Sequence, residues 1–422
     1  MQKILIIGAG VEQVKAIKLA RKMGLFVIVS DMSDTAPGIK YANKFYQVST
    51  TDANGNYEIG VKEKINGVMT ICSETAVPTV ATVARRLNLP GFSEDTALKA
   101  TNKSEMRKAL SKHKVNVAPF IITDNFNTVK KFIGEIAGPW VLKPVDSSGQ
   151  RGTSIVYKKD LIKSAFDLAK QYSSTEEVLI DKYVIGPEVH VTMQVIDKEV
   201  HFLALSDRIT LDDSNFGIAI RHIGPSELNV TLTESIYDIC NKSIEAIGLE
   251  NGVATCELIL ENNKAYLMEV AIRVPGGYLR EVALYLSGVD ILRTTILDCL
   301  GIKTSYNELV TEKYYPAVSV KFISSLNIPP KINVITEINN LDQLKKEEGI
   351  KEINLHFETN FNVPTLSSSI GRFAAIISVG NTRKEAVKKS EHVFNHILFN
   401  NQNLIEYSNY KEHNVSFSSY LK

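Results

Sequence analysis

The sequence predicts a chain of mixed α/β and α+β class, with an N-terminal doubly wound parallel sheet followed by antiparallel sheets. In residues 3–90, short apolar runs alternate with amphipathic helical segments. Such repetition gives a parallel sheet with right-handed crossovers. Beyond residue 187, strand-like runs follow one another across tight turns, which is typical of antiparallel hairpins.

The first domain is predicted to span residues 1–95. Its strands are short apolar runs of the kind that parallel sheets bury on both faces, namely Ile4–Ile7, Leu25–Ser30 and Val68–Cys72. The run Gly8-Ala9-Gly10 follows the first strand, but Gln13 stands where a dinucleotide fingerprint needs a third small residue. We therefore interpret this run as a tight strand–helix turn and not as an NAD site.

Two further domains are predicted. Residues 96–187 form a smaller mixed unit with a helix over Ser104–Lys112, a strand over Trp140–Lys143 and a polar loop over Asp146–Gly152. Residues 188–422 begin with two strands around the turn Asp197–Lys198 and continue with a second hairpin that turns near Asn263. An α/β subdomain is expected from about residue 310 to the end.

Composition excludes several function classes. A length of 422 residues suits about three domains. The formal net charge of +1 gives no bias toward nucleic acid or an anionic membrane. No apolar run approaches the roughly 18 residues of a membrane span. The four cysteines never occur as a close pair, which favours reduced thiols and a cytoplasmic protein.

Four polar motifs occur in an order that suits a nucleoside triphosphate. Lys103 begins a helix, Lys143 ends a strand, the loop 146–152 carries small donors, and Glu188 follows Gly-Pro. Lysines balance phosphate charge, glycines let backbone N–H groups approach phosphate, and a carboxylate accepts ribose hydroxyls. The ordered set predicts an ATP site.

These motifs resemble those of the ATP-grasp superfamily over residues 1–400, and most closely its carboxylate–amine ligases, such as L-amino acid ligases and carbamoyl-phosphate-synthetase-like enzymes. The resemblance implies a parallel-sheet N-terminal domain, a small lid subdomain and an antiparallel-sheet catalytic domain. It implies that Lys103 and Lys143 hold the α- and β-phosphates and that Lys143 serves catalysis. The other implied nucleotide contacts are Ser147, Ser148, Gly149 and Gly152 of the closing loop, Asp181, Lys182 and Val184 at the adenine, and Glu188 at the ribose.

Glu257 and Glu269 are the candidate metal ligands. A hairpin centred on Asn263 puts the two glutamates opposite each other on neighbouring strands. Opposed carboxylates destabilise a sheet unless a cation lies between them. Hard oxygen ligands favour Mg²⁺ together with substrate phosphates, with Mn²⁺ as the second candidate. The alternative is an exposed, charged hairpin face that binds no ion.

The family pattern Glu-x-Asn-x-Arg reads here as Glu269-Val-Ala271-Ile-Arg273. Ala271 therefore lacks the oxygen that the family's asparagine gives to a second magnesium ion. Arg273 matches the family arginine, which implies that it stabilises the acyl phosphate and the charge of the tetrahedral intermediate.

Candidate substrate residues surround this motif. Gly276 and Gly277 leave room and offer backbone donors, whereas Arg280 either holds a substrate carboxylate or is a solvated helix residue. Glu74 stands where related enzymes bring an N-terminal carboxylate to the substrate, although a helix start favours an acid anyway. His222 precedes a turn within reach of the site, but we expect a neutral surface histidine.

The resemblance implies an ADP-forming ligase that converts a carboxylate to an acyl phosphate and couples it to an amine, most directly an amino acid ligase. One alternative activates a one-carbon acid in nucleotide or carbamoyl metabolism. Another is an ATP-binding protein that lost its chemistry with Ala271. Small-molecule acids and amines are the expected partners, nucleic acid and membrane are not, and a homodimer is left open.

Overall fold

The computed structural model describes residues 1–147, 151–211, 217–366 and 368–407. Ser148 and Gly149, which are expected to contact the nucleotide, therefore lie outside the described residues. No helix in these ranges is long and apolar enough to cross a membrane.

A parallel sheet forms the N-terminal unit. Its strands are β1 Lys3–Ile7, β2 Phe26–Asp31, β3 Lys44–Gln47 and β4 Gly67–Met69. They lie in the order β3-β2-β1-β4. The accompanying helices are α1 Val14–Lys22, α2 Ala53–Glu63 and α3 Val77–Arg86, with 3₁₀ turns at Ile39–Tyr41 and Glu74–Ala76.

Both faces of this sheet are covered, which confirms the doubly wound prediction. Ile4 and Ile6 of β1 pack with α1, whereas Leu5 and Ile7 pack with α2 and α3. In the glycine turn, the Ala9 N–H donates to Asp31 Oδ2 at 2.8 Å, and Gln13 Nε2 donates to the Ile71 carbonyl at 2.6 Å. These hydrogen bonds hold the turn against the end of β2 and the residues that follow β4. They satisfy buried polar groups, as expected of a turn with a structural role.

The second unit is a small antiparallel sheet that follows two helices, α4 Glu94–Thr101 and α5 Lys103–Lys112. Its strands are β5 Phe120–Thr123, β6 Trp140–Pro144, β7 Ser154–Val156 and β8 Val178–Lys182, in the order β5-β8-β6-β7. Helices α6 Phe126–Glu135 and α7 Ile162–Gln171 pack on it, after a 3₁₀ turn at Lys159–Leu161. The arrangement leaves Lys143 near the end of β6.

An eight-stranded antiparallel sheet forms the largest unit. Its strands are β9 Glu188–Ile196, β10 Glu199–Thr210, β11 Ala219–Gly224, β12 Gly252–Glu261, β13 Lys264–Ala271, β14 Ala317–Ser324, β17 Ile350–Leu355 and β19 Arg372–Gly380. They lie in the order β13-β12-β9-β10-β11-β14-β19-β17. The strands after residue 310 thus extend the same sheet that contains β12 and β13, the strands of Glu257 and Glu269.

Shorter elements and helices complete this unit. The helices are α8 Val230–Ile247, α9 Leu279–Ser287, α10 Ile291–Cys299, α11 Tyr306–Leu309, α12 Leu341–Leu344 and α13 Arg383–His396. The two-residue strands are β15 Val334–Ile335, β16 Ile338–Asn339, β18 Phe361–Asn362, β20 Leu398–Phe399 and β21 Gln402–Asn403, and the 3₁₀ turns are Ser325–Asn327 and Ser369–Gly371.

The hairpin of β12 and β13 sets Glu257 directly opposite Glu269. Asn262 and Asn263 both have positive φ, as a two-residue hairpin turn requires, and asparagine tolerates that conformation. From this turn, regular pairing would place Glu257 against Met268. A β-bulge between Glu257 and Leu258 shifts the register by one residue and brings the two glutamates together.

Candidate active site

A polar cavity of about 170 Å³ lies at the end of the large sheet where the N-terminal unit meets it. The predicted residues that line it are Glu257, Glu269, Ala271, Arg273, His222, Gly276 and Gly277. Five polar residues that sequence reasoning missed also line it, namely His190, Arg208, Thr255, Ser369 and Arg372. The predicted metal-binding and catalytic hairpin residues therefore share one concave site.

Four side chains, which we call the lysine cluster, lie where α5, β6 and β8 meet: Lys103, Arg107, Lys143 and Asp181. Lys143 Nζ lies 2.9 Å from Asp181 Oδ2, and Arg107 Nε lies 3.3 Å from Asp181 Oδ1. Burial alone would raise the pKa of Asp181, but Arg107 and Lys143 lower it below its ordinary value. The cluster thus holds an ionised carboxylate among three cations.

Lys103 links the lysine cluster to the glutamate hairpin. Its Nζ donates to the Ser147 carbonyl at 2.6 Å, and its backbone N–H donates to the Val145 carbonyl at 2.8 Å. Burial lowers the pKa of Lys103, while the nearby Glu269 raises it. This ammonium group therefore lies between the closing loop and a predicted metal ligand.

The predicted adenine and ribose contacts are engaged within the protein. Asp181 uses both oxygens on Arg107 and Lys143, so its evident role is to position Lys143. Lys182 pairs with Glu261 at 2.9 Å, and Val184 is buried. The carboxylate of Glu188 contacts the guanidinium of Arg208. Their contacts with a nucleotide remain predictions.

The glutamate hairpin, Glu257 and Glu269, is accompanied by buried polar atoms without protein partners. His190 Nε2 lies 3.3 Å from Glu257 Oε1. The surrounding protein would raise the pKa of Glu257, but the hydrogen bond from His190 and the charge of Arg208 hold it at about 2. In the described ranges, Thr255 Oγ1 and the Nδ1 atoms of His190 and His222 are buried without a hydrogen-bond partner. Such atoms normally find a partner, so this wall of the cavity suits a polar ligand.

Glu74 reaches the site from the N-terminal unit. Ile71 pairs in parallel with Val274, and the Cys72 N–H donates to the Val274 carbonyl at 3.0 Å. This pairing places Glu74 beside Arg273, whose Nε donates to Glu74 Oε2 at 2.8 Å. Burial raises the pKa of Glu74, and Arg273 opposes the rise. A carboxylate of one domain is therefore bonded to the predicted catalytic arginine of another.

Two substrate expectations need correction. His222 is not a surface residue: it is 2% exposed, its ring lies 5.4 Å from that of His190, and burial lowers its pKa so that it is neutral. Arg280 is neither solvated nor free for a substrate, because its Nε and Nη2 atoms bind Asp290 at 2.9 and 2.7 Å. The expectation failed because helix spacing alone did not reveal Asp290 as a partner ten residues away.

One sequence signal could have identified the missed residues. Glu188, His190, Thr192 and Gln194 alternate along β9 with valine and methionine. In the observed ladder, His190 lies across from Glu257 and Glu188 across from Arg208. A polar face on an otherwise buried strand next to the glutamate hairpin therefore marked the floor of the site.

Comparison with known proteins agrees with this geometry. Residues 102–304 match the family described as carbamoyl-phosphate synthase L chain, ATP binding domain, and residues 4–88 match the PylC-like N-terminal domain. A formate-dependent phosphoribosylglycinamide formyltransferase of Sulfurisphaera tokodaii is 24% identical over 408 residues, covering 92% of this chain and 95% of that protein.

Solved structures show the same fold. Phosphoribosylglycinamide synthetase from Anaerococcus prevotii superposes with a TM-score of 0.78 at 21% identity, covering 96% of this chain and 99% of that one. L-amino acid ligase from Bacillus licheniformis gives a TM-score of 0.78 at 18% identity, covering 96% and 98%. The match over residues 102–304 and these superpositions show an ATP-grasp fold. The structural neighbours are carboxylate–amine ligases of that superfamily, as the motifs indicated for this chain.

Proposed function

We propose that this protein uses ATP to convert a small carboxylic acid to an acyl phosphate and transfers the acyl group to an amine, with release of ADP and phosphate. The observation that carries the proposal is the pairing of Glu257 with Glu269 in a cavity that also holds Arg273 and adjoins Lys103. Cations at one end and carboxylates at the other suit a nucleotide triphosphate with its metal ion.

The hairpin fits the chemistry of Mg²⁺. Two carboxylates face each other across β12 and β13, and the buried hydroxyl of Thr255 beside them has no protein partner. Phosphate oxygens and water would complete the coordination of one Mg²⁺ ion held by these two glutamates. When bound, Mg²⁺ would neutralise phosphate charge in the transition state.

The chain's own residues then have defined roles. Lys103 and Lys143 would hold the phosphates while a substrate carboxylate oxygen attacks the γ-phosphorus and ADP leaves. Arg273 would stabilise the acyl phosphate and the oxyanion formed when the amine nitrogen attacks the carbonyl carbon. Phosphate leaves as the new C–N bond forms. Glu74, a carboxylate with a raised pKa beside Arg273, would anchor the amine and accept its proton.

A one-carbon acid is the substrate that we favour. The polar cavity of about 170 Å³ leaves little room for a bulky acid beside phosphate groups. The relative from Sulfurisphaera tokodaii is named as formate-dependent. Both observations support the one-carbon reading over the amino acid ligase that the motifs first indicated. We expect a primary amine as the acceptor.

A coupled ADP-release assay tests the proposal. Formate, bicarbonate, acetate and amino acids would each be combined with a panel of primary amines, glycinamide derivatives included, in the presence of ATP and Mg²⁺. We expect formate to support the fastest release. Release that requires pairs of amino acids would establish the ligase alternative. ATP binding without turnover for any pair would establish the inactive alternative.

A further inference from the structure

A second cavity lies behind the polar one, between the N-terminal unit and the large sheet. Its volume is about 770 Å³, within the range of sites that enclose small organic molecules. Helix α3, the segment 89–93, the end of α10 and the turns of β9 and β12 enclose it. We call it the interdomain cavity. Arg273 lines both cavities, so this residue forms part of the wall between them.

The walls of the interdomain cavity are mostly apolar. Val77, Val80 and Ala84 line it from α3, and Val253 and Ile272 line it from the large sheet. All five are buried in the fold. A ligand here would gain most of its affinity from apolar surface, because such walls offer few hydrogen bonds.

Three carboxylates line the cavity, Asp197, Glu250 and Asp298, and the first two are exposed at its mouth. Asp298 lies on α10, and Gln194 Nε2 donates to its Oδ2 at 3.0 Å. No cation is within ion-pair distance of Asp298 in the described ranges, whereas Arg273 pairs with Glu74 and Arg85 with Glu94. Burial raises the pKa of Asp298 to about 6, so the group is mainly ionised at neutral pH. Buried charges in proteins are normally paired, so a cationic group is the partner that suits this partly buried carboxylate.

We infer that the interdomain cavity binds a hydrophobic primary amine, with its ammonium group on Asp298 and its apolar body against α3. This site is separate from the acceptor site proposed at Glu74, because Asp298 lies outside the polar cavity.

Calorimetric titration of the full chain with two probes tests this inference. Benzylamine and benzyl alcohol share an apolar body, but only the first carries a charge. We expect the native protein to bind benzylamine about tenfold more tightly than the alcohol, since a hydrogen bond to a charged group contributes that much. In the Asp298→Asn variant the preference disappears, while Asp197→Asn, at the exposed mouth of the same cavity, retains it.

A third variant separates the two sites. Glu74→Gln removes the carboxylate proposed for the acceptor amine and leaves Asp298 in place, so benzylamine binding is retained even where ADP release fails. The inference is overturned if native protein binds neither probe, if it binds both equally, or if Asp298→Asn keeps the preference. Loss of benzylamine binding in Glu74→Gln also overturns it, because the amine would then occupy the polar site. The proposed function is read separately, from ADP release without benzylamine.

Discussion

The lysine cluster and the glutamate hairpin leave opposite charges uncompensated. In the lysine cluster, Arg107 and Lys143 share the carboxylate of Asp181, and Lys103 adds a third cation near Lys143. At the hairpin, Glu257, Glu269 and Glu74 lie around Arg273, and Arg208, which pairs with Glu188, also acts on Glu257. Fixed charges of this kind are costly unless a ligand completes them. The opposite charges of the two regions indicate the ligand that the protein binds. Its negatively charged end would contact the lysine cluster, and its other end would bring cations to the glutamate hairpin.

Removing a negative charge from the glutamate hairpin should cause the largest loss of activity. We expect Glu269→Gln to lower the rate of ADP release by more than about 10³-fold, since a metal ion contributes several kcal/mol of transition-state stabilisation. The matched control is Glu199→Gln, an exposed glutamate at the start of β10 in the same sheet. Full activity in the Glu269→Gln protein would refute the metal assignment.

Removing a positive charge from the lysine cluster tests its proposed contact with the phosphates. Lys143→Met should reduce turnover on the order of 10²–10³-fold, because one phosphate-contacting cation is lost from a partly desolvated site. It also leaves Asp181 with Arg107 as its remaining cation, so the melting temperature should be measured alongside the rate. Lys159→Met changes an exposed lysine of the same unit and should be silent. A Lys143→Met enzyme as fast as the parent would remove the phosphate role.

Asp298 lies outside both regions and sharpens the comparison, because no cation pairs with it in the part of the chain that the structure describes. The folded state raises the pKa of Asp298 from 3.8 to about 6. The folded protein therefore binds this proton more tightly, and its contribution to stability is lost as the pH rises from about 4 to 6. Asp298→Asn should raise the free energy of unfolding by about 1–3 kcal/mol at pH 8 and leave it nearly unchanged at pH 4.

Denaturant unfolding of both proteins across this pH range measures that difference. Asp197→Asn, which changes an exposed carboxylate near the same cavity, is measured alongside as the control. A stability difference between native and Asp298→Asn that stays constant with pH would mean that Asp298 is not perturbed as described.

The sequence predicted the fold and the residues of the two charged regions better than it predicted which side chains form salt bridges with each other. The two glutamates were placed opposite each other through a turn centred on Asn263, and the structure reaches the same pairing by a two-residue turn and a bulge. Strand β3 was missed because Lys44 and Gln47 flank only two aromatic residues. Long-range partners such as Asp290 for Arg280 and Asp207 for Arg383 follow from tertiary packing, which no local pattern encodes.

The smallest expected effect concerns Ala271, which lines the polar cavity beside Glu269. Ala271→Asn adds an oxygen to the wall of the cavity that Glu257 and Glu269 line. One neutral ligand contributes about 1 kcal/mol or less, so the magnesium concentration for half-maximal rate should fall by no more than about fivefold. Ala271→Leu, which adds bulk without an oxygen, is the matched control and should not lower it. If native protein is inactive and Ala271→Asn gains activity, the site lost its chemistry with this residue. If Ala271→Asn raises the magnesium requirement, the added oxygen does not face the ion, and the hairpin holds its metal by the two glutamates alone.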